Sequence, residues 1–130
     1  MSKKPDLIHF RIRPGGRHGK YYFVVYVSPT CAGMMEIYNA NEGAELDEGD
    51  HACLQVYEKR GDACLGALYF ARERLSYGLV SHEMLHGAAW YAKKTHAAIK
   101  WDSEEAMCRC IETLVNQFHH HYNAGVDMFD

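Results

Sequence analysis

The hydrophobic pattern of this 130-residue chain changes its period once, after Phe70. Before that point apolar and polar residues alternate in short runs, and Ile8, Phe10 and Ile12 share one face of the first run, as in a half-buried strand. After that point apolar residues recur every three or four positions, as on one side of an α-helix. A chain with its strands first and its helices last is typical of an α+β fold.

The sequence predicts strands between residues 7 and 70 and two helices after them. The strand runs are 7–13, 21–28, 35–38, 53–58 and 64–70, and residues 39–50 form a polar loop. One helix is predicted over about 72–94, with Ser76 as its N-cap if it begins late. A second is predicted over about 103–120, after Asp102 and Ser103. Residues 1–130 are predicted to form a single domain, with an antiparallel or mixed sheet followed by two packed helices.

Composition favours neither nucleic acid nor a membrane as a partner. The net charge is -3 and the pI is near 6.3, and we interpret the basic groups of the N-terminal third as solvated strand ends. No run is long and apolar enough to span a bilayer, and the first residues lack the apolar stretch of an export signal, so we expect a cytoplasmic protein. Its five cysteines are then expected to be reduced thiols, with Cys108 and Cys110 on different faces of a helix.

The first predicted helix contains His82-Glu83-Met84-Leu85-His86, which has the form H-E-x-x-H. Residues four apart lie on one helical face, so the two imidazoles can bind one zinc ion. Glu83 lies between them and can take a proton from a zinc-bound water. Because such a string also arises by chance, an interpretation without metal stays open. In that interpretation Glu83 is exposed and both histidines lie on a polar helix face.

A catalytic zinc ion normally takes a third protein ligand. A third histidine soon after the motif is one source, but Gly87 and His96 do not have the required spacing. A remote aspartate is a second source, and nothing in the sequence marks one. The third source is a glutamate at the start of the next helix, where Glu104 and Glu105 stand. By helical phase Glu104 lies over the apolar stripe and Glu105 at its polar edge, and phase alone leaves both open.

From Leu65 to Phe118 the chain resembles the gluzincins, the thermolysin-like zinc metallopeptidases, and more loosely the small HExxH metallopeptidases of phage and bacteria. The stretch Leu79–Ala89 is similar to the helix that carries the family's histidines, and Glu104–Val115 is similar to its glutamate helix. The resemblance implies a minimal zincin-like domain whose zinc site is carried by the two helices.

The roles of the family's site residues are carried over to the matching positions of this sequence. The resemblance implies that His82, His86 and Glu105 bind Zn2+ and that Glu83 is the general base. It also implies that the strand before the motif helix, residues 64–70, binds a peptide or protein substrate as an added β-strand.

Two features depart from the family pattern. Gluzincins usually carry an acid four residues after the ligand glutamate, and this chain has Arg109 there, which we interpret as an ion-pair partner on the helix surface. The group that stabilises the oxyanion is also not marked; Tyr91, His96 and the run 119–122 are candidates.

The sequence therefore predicts a zinc-dependent peptidase. The alternative of the same fold is a catalytically inactive zinc-binding module for protein interaction. A third interpretation is a small α+β interaction domain without metal.

Overall fold

The computed structural model of the protein describes residues 7–46, 51–59, 63–95 and 104–124. These residues form four strands, three α-helices and one short 3-10 helix. In chain order they are β1 (Ile8–Ile12), β2 (Tyr22–Ser28), α1 (Cys31–Glu42), β3 (Ala52–Val56), β4 (Cys64–Ala71), the 3-10 helix (Arg72–Arg74), α2 (Tyr77–Thr95) and α3 (Glu104–Ala124). Predictions about His96, Asp102 and Ser103 fall outside the described residues.

The strands form one mixed sheet in the order β1-β2-β4-β3. β2 pairs antiparallel with β1 and parallel with β4, and β3 pairs antiparallel with β4. The α+β class with a mixed sheet is therefore confirmed. The prediction that residues 64–70 form an open edge is wrong, because β4 lies between β2 and β3. Its nearly continuous apolar run is buried on both faces, as in an interior strand, whereas every residue of β3 is partly exposed.

Helices cover both faces of the sheet. Alternate residues of β4 point in opposite directions, so Leu68 and Phe70 face α2 and α3 while Ala67 and Tyr69 face α1. The larger core lies under α2 and α3, and its largest fully buried side chains include Phe10, Phe23, Phe70, Met84, Leu114 and Phe118. The site-bearing helix α2 therefore rests on a rigid sheet.

The strand predicted over residues 35–38 is wrong, because these residues belong to α1. Thr30 caps this helix, since its hydroxyl accepts a hydrogen bond from the Gly33 amide at 3.0 Å. The helix ends at Gly43, whose φ of 68° is the left-handed conformation common after a helix. Its buried residues are Met34 and Tyr38, four positions apart, so the helical period applies here.

The two C-terminal helices lie close to their predicted bounds. α2 begins at Tyr77, after a 3-10 turn over the first predicted residues, and Ser76 caps it by accepting a hydrogen bond from the Leu79 amide at 3.0 Å. The sequence predicts an apolar stripe on α3 made of Met107, Cys108, Ile111, Leu114, Val115 and Phe118. Leu114 and Phe118 are buried and Met107, Ile111 and Val115 pack against the core, but the prediction is wrong for Cys108, which is exposed, while Cys110 is buried instead. Among the described residues no helix is long and apolar enough to cross a bilayer.

Candidate metal centre

The H-E-x-x-H motif lies on the second and third turns of α2. The helix buries Val80, Met84 and Ala88 against the sheet, which leaves His82 and His86 on the opposite, solvent-facing side. Glu83 occupies the flank of the helix between these sides and is only 7 % exposed. The interpretation without metal required an exposed Glu83, and on this point the structure disagrees with it.

The two imidazoles converge on one point. Their Nε2 atoms are 3.2 Å apart, and the ring planes meet at 77°. A carboxylate oxygen of Glu83 lies 3.8 Å from the Nε2 of His82. The candidate ligand atoms of these three residues all lie within 4.8 Å of one another. The structure thus brings together three of the four predicted site residues.

The spacing of the histidines fits a zinc ion. Two nitrogens at ~2.0–2.1 Å from one zinc ion, with a tetrahedral angle between them, lie about 3.3–3.4 Å apart. The observed 3.2 Å separation agrees with that value within ~0.2 Å, the tolerance for a plausible site. The distance between the two nitrogens is therefore compatible with one shared ion, and it is also that of a direct hydrogen bond between the two imidazoles.

A cleft of about 500 Å³ runs beside these residues, between α2 and the edge strand β3. The helix contributes Glu83 and His86 near the motif and Trp90 and Lys93 further along. The strand contributes mostly apolar side chains, and its lining residues are Ala52, Cys53, Leu54 and Val56. The cleft joins the polar cluster to an apolar wall that an extended chain could contact.

An irregularity in β4 fixes the structure at the far end of this cleft. The pairing of β2 with β4 shifts register at Leu65, as at a β-bulge. The Leu65 carbonyl accepts hydrogen bonds from the Trp90 indole and from the Tyr57 amide, each at 3.0 Å. Lys94 donates to the Tyr57 and Lys59 carbonyls at 3.0 and 2.8 Å. α2 is thereby tied to the chain that leaves β3.

The structure does not bring Glu105 into the cluster. Its side chain is 70 % exposed and its carboxylate lies 3.2 Å from the Nε of Arg109, which confirms the interpretation of Arg109 as a surface ion-pair partner. The start of α3 packs beside Tyr91, more than one helical turn beyond His86, and the flank of α2 next to Glu83 faces β3 instead. The side chain of Glu104 is not among those described.

Two of the oxyanion candidates lie away from the histidine pair. The Tyr91 hydroxyl points toward the turn at Gly15, and burial raises the pKa of this tyrosine. His121 is buried at the other end of α3, where its ring stacks on Phe10 at 5.1 Å. In the described part of the chain, neither group lines the cleft.

Trp90, Lys93 and the strand β3 are parts of the site that were not predicted from the sequence. A local signal existed for Trp90, which stands four residues after His86 and therefore on the same side of the helix. The role of β3 depends on strand order, which the local pattern does not contain.

Comparisons of the chain with protein families, with curated proteins and with solved structures give no match.

Proposed function

We propose that this protein is a zinc-dependent peptidase with a zincin-like domain. The observation that carries the proposal is the 3.2 Å approach of His82 and His86 beside a buried Glu83. The cleft between this cluster and an open strand edge supports a polypeptide substrate.

Each motif residue has a distinct task. His82 and His86 would bind the zinc ion through their Nε2 atoms. A zinc ion bound there supplies Lewis acidity and lowers the pKa of water toward ~7. Glu83 accepts the proton of the attacking water and returns it to the leaving amine. Its low exposure keeps bulk water from competing for that proton, while its position in the cleft wall leaves it in reach of a substrate.

The substrate is proposed to bind along β3 rather than along β4. β3 is the edge strand of the described sheet and pairs there with β4, so an added strand could pair with its other side. β3 also lines the same cleft as Glu83 and His86, so a paired peptide would pass beside the motif.

The third zinc ligand is proposed to be Glu105. Glu105 stays a prediction, and its pairing with Arg109 means that it would have to change partner to bind zinc. Glu105→Ala tests it through zinc content. Loss of the ion would make Glu105 a ligand, and retention would place the third ligand elsewhere.

A zinc-binding module without turnover is the second candidate. It is favoured by the position of Tyr91 and His121, which leaves the described cleft without an oxyanion donor from either residue. The two candidates share the metal and differ in hydrolysis.

The deciding experiment measures zinc content and hydrolysis together, on protein purified without a metal-affinity tag or chelator. We expect one equivalent of zinc in the wild type, and loss of zinc and activity in His86→Ala. Glu83→Gln should keep the zinc and lose hydrolysis of an unstructured protein substrate. His18→Ala, which changes an exposed histidine on the β1–β2 loop, is the matched control and should behave as wild type.

Each result has a defined meaning. Wild-type protein that binds zinc but cleaves nothing would favour the module without turnover. Wild-type protein that takes up no zinc after zinc is added would contradict both candidates. Undiminished hydrolysis by Glu83→Gln would remove the proposed general base.

A further inference from the structure

The cleft that holds the motif has a cationic end. Lys93 lines it, and its ammonium lies 5.8 Å from the centre of the Trp90 ring. The other charged side chain of the described lining is Glu83, at the opposite end beside His86. The cleft therefore presents an acid near the histidine pair, an apolar middle and an amine at the far end.

The neighbouring lysine has a different task. Lys94 donates to two backbone carbonyls, those of Tyr57 and Lys59, and so serves as a structural tie. Lys93 is exposed, and the contact described for it is with the Trp90 ring. The indole is itself fixed by its hydrogen bond to the Leu65 carbonyl. Lys93 therefore contacts an aromatic ring whose position is fixed, and its side chain is exposed while it lines the cleft.

The distance between the two ends of the cleft determines how many residues of an extended peptide lie between them. Lys93 follows His86 by seven residues, and at ~1.5 Å of rise per residue the two positions lie about 10 Å apart along α2. An extended peptide advances ~3.3 Å per residue, so about three peptide residues separate the position beside His86 from the position beside Lys93.

We propose that Lys93 determines specificity by pairing with a carboxylate of the bound polypeptide, about three residues from the bond that lies at His86. The substrate class is an extended segment with apolar residues in the cleft and an acidic side chain at that spacing. This inference rests on the proposed use of the cleft as the substrate site. It does not require that the bound segment is cleaved.

The test measures peptide binding rather than turnover. The protein is the zinc-loaded Glu83→Gln variant with Trp101→Phe, so that Trp90 is the remaining tryptophan and reports binding by fluorescence. The probes are capped heptapeptides of alanine and leucine, with one glutamate moved through each position and a glutamine counterpart for each. We expect the glutamate peptide to bind about two- to five-fold more tightly at one position, as for an exposed ion pair.

Reversing the charge of residue 93 gives the readout that is specific to the proposed ion pair. Lys93→Glu should abolish the preference for glutamate and favour lysine at the same position. Lys20→Glu is the matched control, because Lys20 is also exposed and also rests on an aromatic ring, 5.3 Å from the centre of Tyr21 on the β1–β2 loop. It should leave the preference unchanged.

Three results would overturn the inference: no binding of any peptide, equal binding of the glutamate and glutamine peptides, or a preference that survives Lys93→Glu. Wild-type hydrolysis of the same peptides is measured in parallel. A glutamate preference without hydrolysis would leave the inference standing and refute the peptidase.

Discussion

Replacement of Gly66 by alanine should push β3 away from β4 and deform the candidate cleft. A Cβ at position 66 would overlap the Gln55 carbonyl oxygen and would lie 3.2 Å from the Val56 Cα. The first contact is with backbone, so a side-chain rotation cannot relieve it. β3 would have to move by about 1 Å to reach an ordinary van der Waals separation of roughly 3.4 Å.

The cost of Gly66→Ala follows from two terms. Overpacking of a close contact costs about 1–3 kcal/mol. The strand shift also weakens the hydrogen bond from the Tyr57 amide to the Leu65 carbonyl, worth about 0.5–1.5 kcal/mol. Alanine within a strand is about 0.5–1 kcal/mol more stable than glycine, which offsets part of this cost and leaves a loss of about 1–4 kcal/mol. For 130 residues the unfolding entropy near 60 °C is about 0.27 kcal/mol/K, so the melting temperature should fall by about 4–15 °C.

Thermal unfolding followed by circular dichroism measures this change. Gly78→Ala is the control, because the nearest atom to its added Cβ is the Ser76 hydroxyl oxygen at 4.0 Å. Gly78 lies in the first turn of α2, where alanine should raise stability by up to ~1 kcal/mol. A Gly66→Ala protein as stable as wild type would refute the close approach of the two strands and, with it, the described wall of the cleft.

Two further predictions concern groups outside the cleft. Burial, together with the Glu42 carboxylate that accepts both hydroxyls, raises the pKa of Tyr57 and of Tyr69 above 10.0. Because the unfolded tyrosines ionise near pH 10 while the folded ones stay protonated, the free energy of unfolding should fall as the pH rises above about 10. Urea titrations between pH 7 and 11 measure this decline, and an unchanged decline in a Tyr57→Phe, Tyr69→Phe double variant would contradict the assignment. Burial raises the pKa of the Cys110 thiol to about 11, so iodoacetamide at pH 8 should alkylate exposed Cys108 well before Cys110, and equal rates by mass spectrometry would contradict this.

The fold could be predicted from the sequence wherever local pattern and tertiary burial agree. The apolar run of β4 and the positions Leu114 and Phe118 of the α3 stripe were predicted correctly for that reason. The strand prediction over 35–38 failed because Met35 and Ile37 suggest alternation, while the residues that the fold buries in α1 are Met34 and Tyr38. The order of the strands could not be predicted from local sequence patterns, since it depends on pairing between distant parts of the chain.

The candidate site likewise has one part that local sequence predicts and other parts that it does not. The approach of His82 to His86 follows from helical spacing and was predictable. The position of Glu105 depends on how α3 packs against α2, and helical phase within α3 does not contain that information. The contribution of β3 likewise requires the strand order.

The burial of Glu83 weighs against an accidental motif. A carboxylate that folding removes from water costs free energy unless its surroundings compensate, and an apolar residue at such a position is often more stable. Leu85, two residues away, is 46 % exposed, so the helix places an apolar side chain in solvent while it buries an acid. A buried acid between two converging histidines fits a role in proton transfer beside a bound metal, which is the role proposed for Glu83.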